Sequence, residues 1–175
     1  MAEEKKEKWL NYLSLTTVLF AVFATLSTFK GGGYSTKSLL SQSKASDAWA
    51  YYQAKSIKSY IYEMQKENLE LQLSNTALAA NKEELQKKLD KYSTQISKYA
   101  AEKEQISAEA KGYEAVRDES KGHSEKFGIA VIFLQVSILL ASIAALAKKK
   151  IVWHLSIVVG VFGFFYFLNG FFVFF

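Results

Sequence analysis

The sequence predicts an all-α membrane protein with three transmembrane helices and a long antiparallel coiled-coil hairpin between the first and second. Three observations carry this expectation. The 175 residues include no proline, where average usage would supply several, and that favours long uninterrupted helices. The apolar residues gather in three blocks at the two ends of the chain, each long enough to cross a bilayer. The polar middle is rich in Ala, Glu, Lys, Gln and Leu, the strong helix formers.

The first block, Trp9 to Phe29, runs 21 residues without an ionisable side chain. The second, Phe127 to Ala147, is another uncharged run of 21. The third, Ile151 to Phe175, adds 25, with His154 and Asn169 as its strongly polar members. A hydrocarbon layer about 30 Å thick needs roughly 20 helical residues, whereas buried core helices present stretches of about 10–14. The first block follows lysines, as a secretory signal would, but exceeds the ~7–15 residues of a signal's apolar region and reads as a signal anchor.

Short loops set the orientation, because lysines resist export. Lys148, Lys149 and Lys150 join the second and third blocks, and Lys5, Lys6 and Lys8 precede the first. Three crossings place both segments on one face, so both are expected in the cytoplasm. Trp9, Tyr12 and Trp153 would form an aromatic belt there. Lys30, Lys37, Arg117, Lys121 and Lys126 flank the opposite face, yet long loops weigh less in this bias. The middle segment is then periplasmic or external, in a multi-pass inner-membrane protein. Residues 34–126 carry 15 basic and 14 acidic side chains, so the basic balance flanks the membrane and is no nucleic-acid footprint.

The chain therefore divides into an amino-terminal tail and first span (1–30), an extramembrane helical hairpin (31–126), and two further spans (127–175). In the middle, apolar residues alternate at spacings of four and three: Ala50, Ala54, Ile57, Ile61, Met64, Leu71 and Leu78, with Asn68 and Asn75 in the gaps. The spacing resumes at Leu85, Leu89, Tyr92, Ile96, Tyr99, Ile106, Ala110 and Tyr113, with Lys103 as the exception. Sustained heptads of this kind mark a coiled coil. Both ends enter apolar blocks, so the chain must reverse if those blocks share one bilayer. Equal arms of about 65–70 Å at 1.5 Å per residue place the tip at about 79–82. Asn81 there suits a helix N-cap, with Glu83 and Glu84 following.

Folding at that tip pairs Leu78 with Leu85, Leu71 with Tyr92, Met64 with Tyr99, Ile57 with Ile106 and Ala50 with Tyr113. It also brings Asp47 near Arg117, the only arginine, as a register-setting ion pair. Asn68, Asn75 and Lys103 on the seam would specify an oligomer, since buried polar residues at such positions select register and strand number. A homo-oligomer of unstated size is expected.

Within the spans, Ser14, Thr17, Ala21, Ala24 and Thr28 make one small-residue stripe, and Ser137, Ala141 and Ala144 another. Such stripes allow close helix packing or, with Gln135 and Asn169, would line a pore. No Asp, Glu, Lys or Arg lies inside a span, which disfavours proton-coupled transport. Gly31-Gly32-Gly33 lacks the context of a phosphate loop and reads as a juxtamembrane hinge. His123 and His154 read as interfacial polar residues. Without cysteine there is no thiolate chemistry, and the motifs of zinc proteases, nucleotide phosphate loops and serine hydrolases are absent from the sequence. No catalytic, cofactor or metal residue is expected. The aromatic and basic residues Trp49, Tyr51, Tyr52, Tyr60, Tyr62, Lys44, Lys55 and Lys58 would cover the seam or meet lipid headgroups or a partner protein.

Three strings carry a family resemblance: Lys8-Trp9-Leu10-Asn11-Tyr12, Ser27-Thr28-Phe29-Lys30-Gly31-Gly32-Gly33-Tyr34-Ser35-Thr36, and Ala45-Ser46-Asp47-Ala48-Trp49-Ala50-Tyr51-Tyr52-Gln53-Ala54-Lys55-Ser56-Ile57-Lys58. The chain resembles, over essentially its full length, a bacterial membrane family catalogued as domain of unknown function 4337. The resemblance implies an inner-membrane setting and brings no activity, cofactor or catalytic residue. The expected function is that of a non-enzymatic, oligomeric scaffold or docking platform, in contact with membrane lipids and an unidentified protein partner, and not with nucleic acid. The alternative is a subunit of an ion or small-solute channel with a hydroxyl-lined pore.

Overall fold

Three helices make up the computed structural model, which describes residues 2–74 and 82–174. Helix α1 runs Ala2–Ser74, α2 runs Lys82–Ala147 and α3 runs Lys150–Phe172. No strand occurs among the described residues. Each helix holds a stretch long and apolar enough to cross a membrane. The expected reversal at about 79–82 falls on or beside residues 75–81, which lie outside the described residues, as do Asn75, Leu78 and Asn81.

The chain packs as two compact units, Met1–Leu40 with Val116–Phe175, and Ser41–Ala115. These boundaries fall about ten residues inside the expected hairpin limits of 31 and 126.

In the first unit, α1, α2 and α3 bury an aromatic interior. At one end Trp9, Leu13 and Ala144 pack with Val152 and Trp153, and the Trp153 indole N–H donates to Thr16 Oγ1 at 3.2 Å. At the other, Phe127, Ala130 and Phe167 pack with Phe23, Tyr34 and Tyr166. Trp9 is thus an interior residue whose ring meets Trp153 at 6.1 Å, while Tyr12 is exposed. Large rings meet absent side chains across the helices. Gly160 lies against the Phe20 ring, and a Cβ on Gly163 would stand 3.0 Å from the Leu134 backbone nitrogen. One on Gly170 would stand 2.8 Å from the Phe127 ring. Small residues at such crossings let backbones approach closely.

The α2–α3 connection is tight. Lys148 adopts a left-handed conformation (φ 53°), and the Lys148 and Lys149 N–H groups donate back to Ala145 and Ala144 carbonyls at 3.4 and 3.2 Å. This satisfies carbonyls that a helix end leaves open. At the end of α3, Asn169 is fully buried, and its Oδ1 accepts from the Phe174 N–H at 2.7 Å. That side chain fastens the turn that follows α3.

The glycine triplet, expected as a hinge, is helical throughout. Gly31 explains why glycine is required once: a Cβ there would meet the Phe127 Cβ at 3.0 Å, and its carbonyl accepts from Ser124 Oγ at 3.0 Å. Gly32 and Gly33 have open space around the missing Cβ. Hydrogen-bonded helix on both sides overrides the flexibility of the triplet.

Two outcomes follow for thermal unfolding of the purified protein in detergent. Gly32→Ala and Gly33→Ala each raise the midpoint, by the ~0.5–1 kcal/mol that separates Gly from Ala in a helix interior. Gly163→Val lowers it, by the ~1–3 kcal/mol typical of overpacking.

Candidate functional site

In the second unit, segments of α1 and α2 run side by side in opposite directions. Trp49 Nε1 donates to Glu114 at 3.0 Å, Lys55 meets Glu102 at 2.6 Å, and the Tyr62 ring lies 5.5 Å from Tyr92. The first residues rise along α1 as the second fall along α2.

On α2 the heptad seam is the expected one. Leu89, Ile106 and Ala110 are buried, and Leu85, Tyr92, Ile96, Tyr99, Lys103 and Tyr113 are half-buried. On α1 the seam is not the expected one. Ser41, Ala45, Ala48, Tyr52, Lys55, Ser59, Tyr62, Lys66, Leu69 and Leu73 are buried or half-buried, again at spacings of four and three, with Trp49, Ser56 and Glu63 half-buried beside them. This series is the expected one displaced by two residues, which turns the helix by about 200°. Ala50, Ala54, Ile57, Ile61, Met64, Asn68 and Leu71 are consequently exposed. Tyr92 meets Tyr62 where Leu71 was expected, and the Tyr113 ring receives the Lys44 ammonium at 5.5 Å where Ala50 was expected.

The contacts explain why the less apolar face turns inward. Lys55 lies beneath three groups, bonding Glu102 while its ammonium stands 5.1 Å from the Tyr51 ring centroid and 5.4 Å from that of Tyr99. Tyr62 inserts between Tyr92 and Tyr99, with centroids at 5.5 and 5.8 Å. Ala45 and Ser59, both 1% exposed, leave room for these large side chains. Amphipathic residues with long apolar stems therefore make much of the seam, and the Lys55 ammonium keeps its charge paired with Glu102.

The ion pair shapes both titrations. The hydrogen bond to Lys55 holds the Glu102 carboxyl below its ordinary value of 4.5, against some desolvation. The same bond, with help from Tyr51, holds the Lys55 ammonium above its ordinary 10.5.

The remaining expected residues divide by unit. Lys103 does lie on the seam, its ammonium 6.0 Å from the Tyr60 ring, whereas Asn68 faces outward. Arg117 clasps its neighbour Asp118 through Nε at 2.7 Å and a second bond at 2.9 Å, and this holds the Asp118 carboxyl below its ordinary range. Arg117 and Asp47 fall in different units. In the first unit, Ser14, Thr17 and Thr28 donate to the carbonyls of Leu10, Leu13 and Ala24 on their own helix, at 3.0, 2.8 and 2.9 Å. Ser14, Ala21, Thr28 and Gln135 are exposed. Ser137 and Ala141 are fully buried, and Ser137 donates to the Ser156 carbonyl at 2.6 Å, which matches close helix packing. His123 was read as merely interfacial, but it joins three helices. Its ring stacks on Tyr34 at 4.5 Å, and its Nδ1 lies 2.8 Å from the Gly170 carbonyl oxygen. Among the described residues no group of three or more His, Cys, Asp or Glu side chains is placed to hold a metal ion.

Comparison with known families places the chain. Residues 9–173 match the family described as domain of unknown function (DUF4337), and the chain belongs to it. No curated protein and no solved structure matches the chain.

The ion pair predicts a pH dependence with two limits. Because the folded Glu102 pKa is lowered and the folded Lys55 pKa raised, the pair contributes its full stability between about pH 4.5 and 10.5. Below that window the contribution falls as pH drops through the folded Glu102 pKa, and above it as pH rises through the folded Lys55 pKa. Comparing Glu102→Gln with the wild type by thermal unfolding should show a constant deficit inside the window that shrinks on the acid side. A deficit unchanged down to pH 3 would place the effect outside the ion pair.

Proposed function

We propose that this protein is a non-enzymatic, self-assembling scaffold of a bacterial inner membrane. The three apolar stretches anchor it, and the second unit forms an antiparallel coiled-coil hairpin held on the periplasmic or external side as a docking platform. The observation that carries this reading is the paired heptad surface of the second unit. Its inner stripe holds α2, while a second, more apolar stripe on α1 is left outside, with Ile57, Met64 and Leu71 61–68% exposed. A helix that needed only its hairpin partner would have one such stripe. Presenting several copies at one membrane gives each docking surface a high effective concentration for a multivalent partner.

The channel reading has less to draw on. The hydroxyls of Ser14, Thr17 and Thr28 are engaged with their own helix carbonyls, the usual way such side chains are satisfied in an apolar setting.

Topology, size and conduction test the proposal together. The chain has no native cysteine, so a single Lys91→Cys variant should react with an impermeant maleimide added outside cells whose outer envelope is permeabilised. Reaction only after inner-membrane lysis would reverse the orientation. Light scattering in detergent should give a protein mass at least twice the 19.7 kDa of one chain, and liposomes loaded with the purified protein should hold their ion gradients. Flux that disappears in a Ser14→Ala, Thr17→Ala double variant would replace the scaffold by the channel.

A further inference from the structure

We infer that the outward stripe of α1 is a parallel self-association surface, whose occupant is the same stripe of a second copy of this chain. The inference rests on the oligomeric reading above and deepens it by naming the face and the alignment. In heptad terms Ala54, Ile61 and Asn68 stand at the first core position, and Ile57, Met64 and Leu71 stand three residues on at the second, with Ala50 at the second position of the preceding heptad. An asparagine at the first core position fixes register and strand number. In a parallel pair Asn68 of each copy faces Asn68 of the other, so two amides bond mutually. Inverting the alignment leaves each amide against an apolar side chain, and a one-heptad shift sets one Asn68 against Asn75 but leaves the other against Ile61.

The surface is open and large enough. Ile57, Ile61, Met64 and Leu71 are 61%, 49%, 64% and 68% exposed, with Tyr51 and Tyr60 on the flanks at 54% and 60%. At on the order of 80 Å² for each aliphatic chain and 100 Å² for each ring, two facing copies remove roughly 1,000 Å², the scale at which specific interfaces begin. The flanks oppose no like charges in the parallel alignment. There Lys58 of one copy meets Gln53 of the other, Gln65 meets Tyr60, and Gln72 meets Glu67. The intramolecular seam, about 200° away, stays in contact with α2 while the outer stripe is occupied.

Single-cysteine variants of the full chain in detergent micelles test this. Met64→Cys should form a disulfide-linked dimer under mild oxidation at least tenfold faster than Glu70→Cys, an exposed residue off the stripe, since bridging requires Cβ atoms about 3.5–4.5 Å apart. Adding Ile61→Glu should slow the Met64→Cys reaction at least tenfold with helical circular dichroism unchanged, because Ile61 makes no buried core within one chain. Equal rates at 64 and 70, in a protein that light scattering shows to be oligomeric, would overturn the stripe and leave the oligomer standing. Equal rates in a monomeric protein would sink both. A faster mixed disulfide between Ile57→Cys and Leu71→Cys chains than between like chains would overturn the parallel alignment in favour of an inverted one.

Discussion

The second unit depends on which of two heptad stripes α1 turns toward α2. The stripes lie two residues apart in sequence and nearly opposite one another around the helix, so a neighbour can hold only one of them. Lys55 and Tyr62 decide the choice. Each reaches across to more than one group on α2: Lys55 to Glu102 and the Tyr99 ring, Tyr62 to both Tyr92 and Tyr99. An aliphatic side chain such as Ile57 offers α2 only dispersion and burial. A tyrosine offers these together with ring geometry worth about 0.5–1.5 kcal/mol beyond its area. Small residues at Ala45 and Ser59 make the arrangement possible by letting the bulky ones lie flat.

That choice determines what the surface can do. The stripe turned outward is continuous, aliphatic and interrupted by one asparagine, which are the properties of an association surface. The stripe turned inward is mixed in chemistry and specific in its pairing, which are the properties of a structural seam. One helix thus carries one stripe that holds its own fold and a second that is left exposed.

In the first unit the organising device is different. Gly31, Gly160, Gly163 and Gly170 each lie where a Cβ would strike a large side chain on another helix. Phe127 occupies two of these contacts and stacks or abuts Tyr34, Phe167 and Phe171 as well. Large-into-absent packing supplies shape specificity where most side chains are apolar and hydropathy alone does not choose among faces. His123 closes the same end by joining α1 and α3 through stacking and a hydrogen bond.

The three apolar blocks, the helical middle and the α2 seam were legible because each is a matter of run length or periodicity. The α1 seam was not, since the most apolar stripe is the natural candidate and the stripe actually used contains Ser59, Lys55 and Lys66. The glycine triplet misled for a related reason, because glycine permits a hinge without requiring one and its helical neighbours settled the matter. His123 and Asn169 carried no pattern at all.

Sequence by itself determined that this chain is built of long helices, which stretches are apolar enough to span a bilayer, and at what angles around α1 the heptad stripes lie. Those properties are local, set by composition and by 3.6 residues per turn. Only the tertiary structure decided which stripe is inside, which glycines are indispensable and which polar groups are joined. Each of those depends on the shape of a partner distant in the chain, and shape complementarity leaves no periodic trace in the residues that supply it.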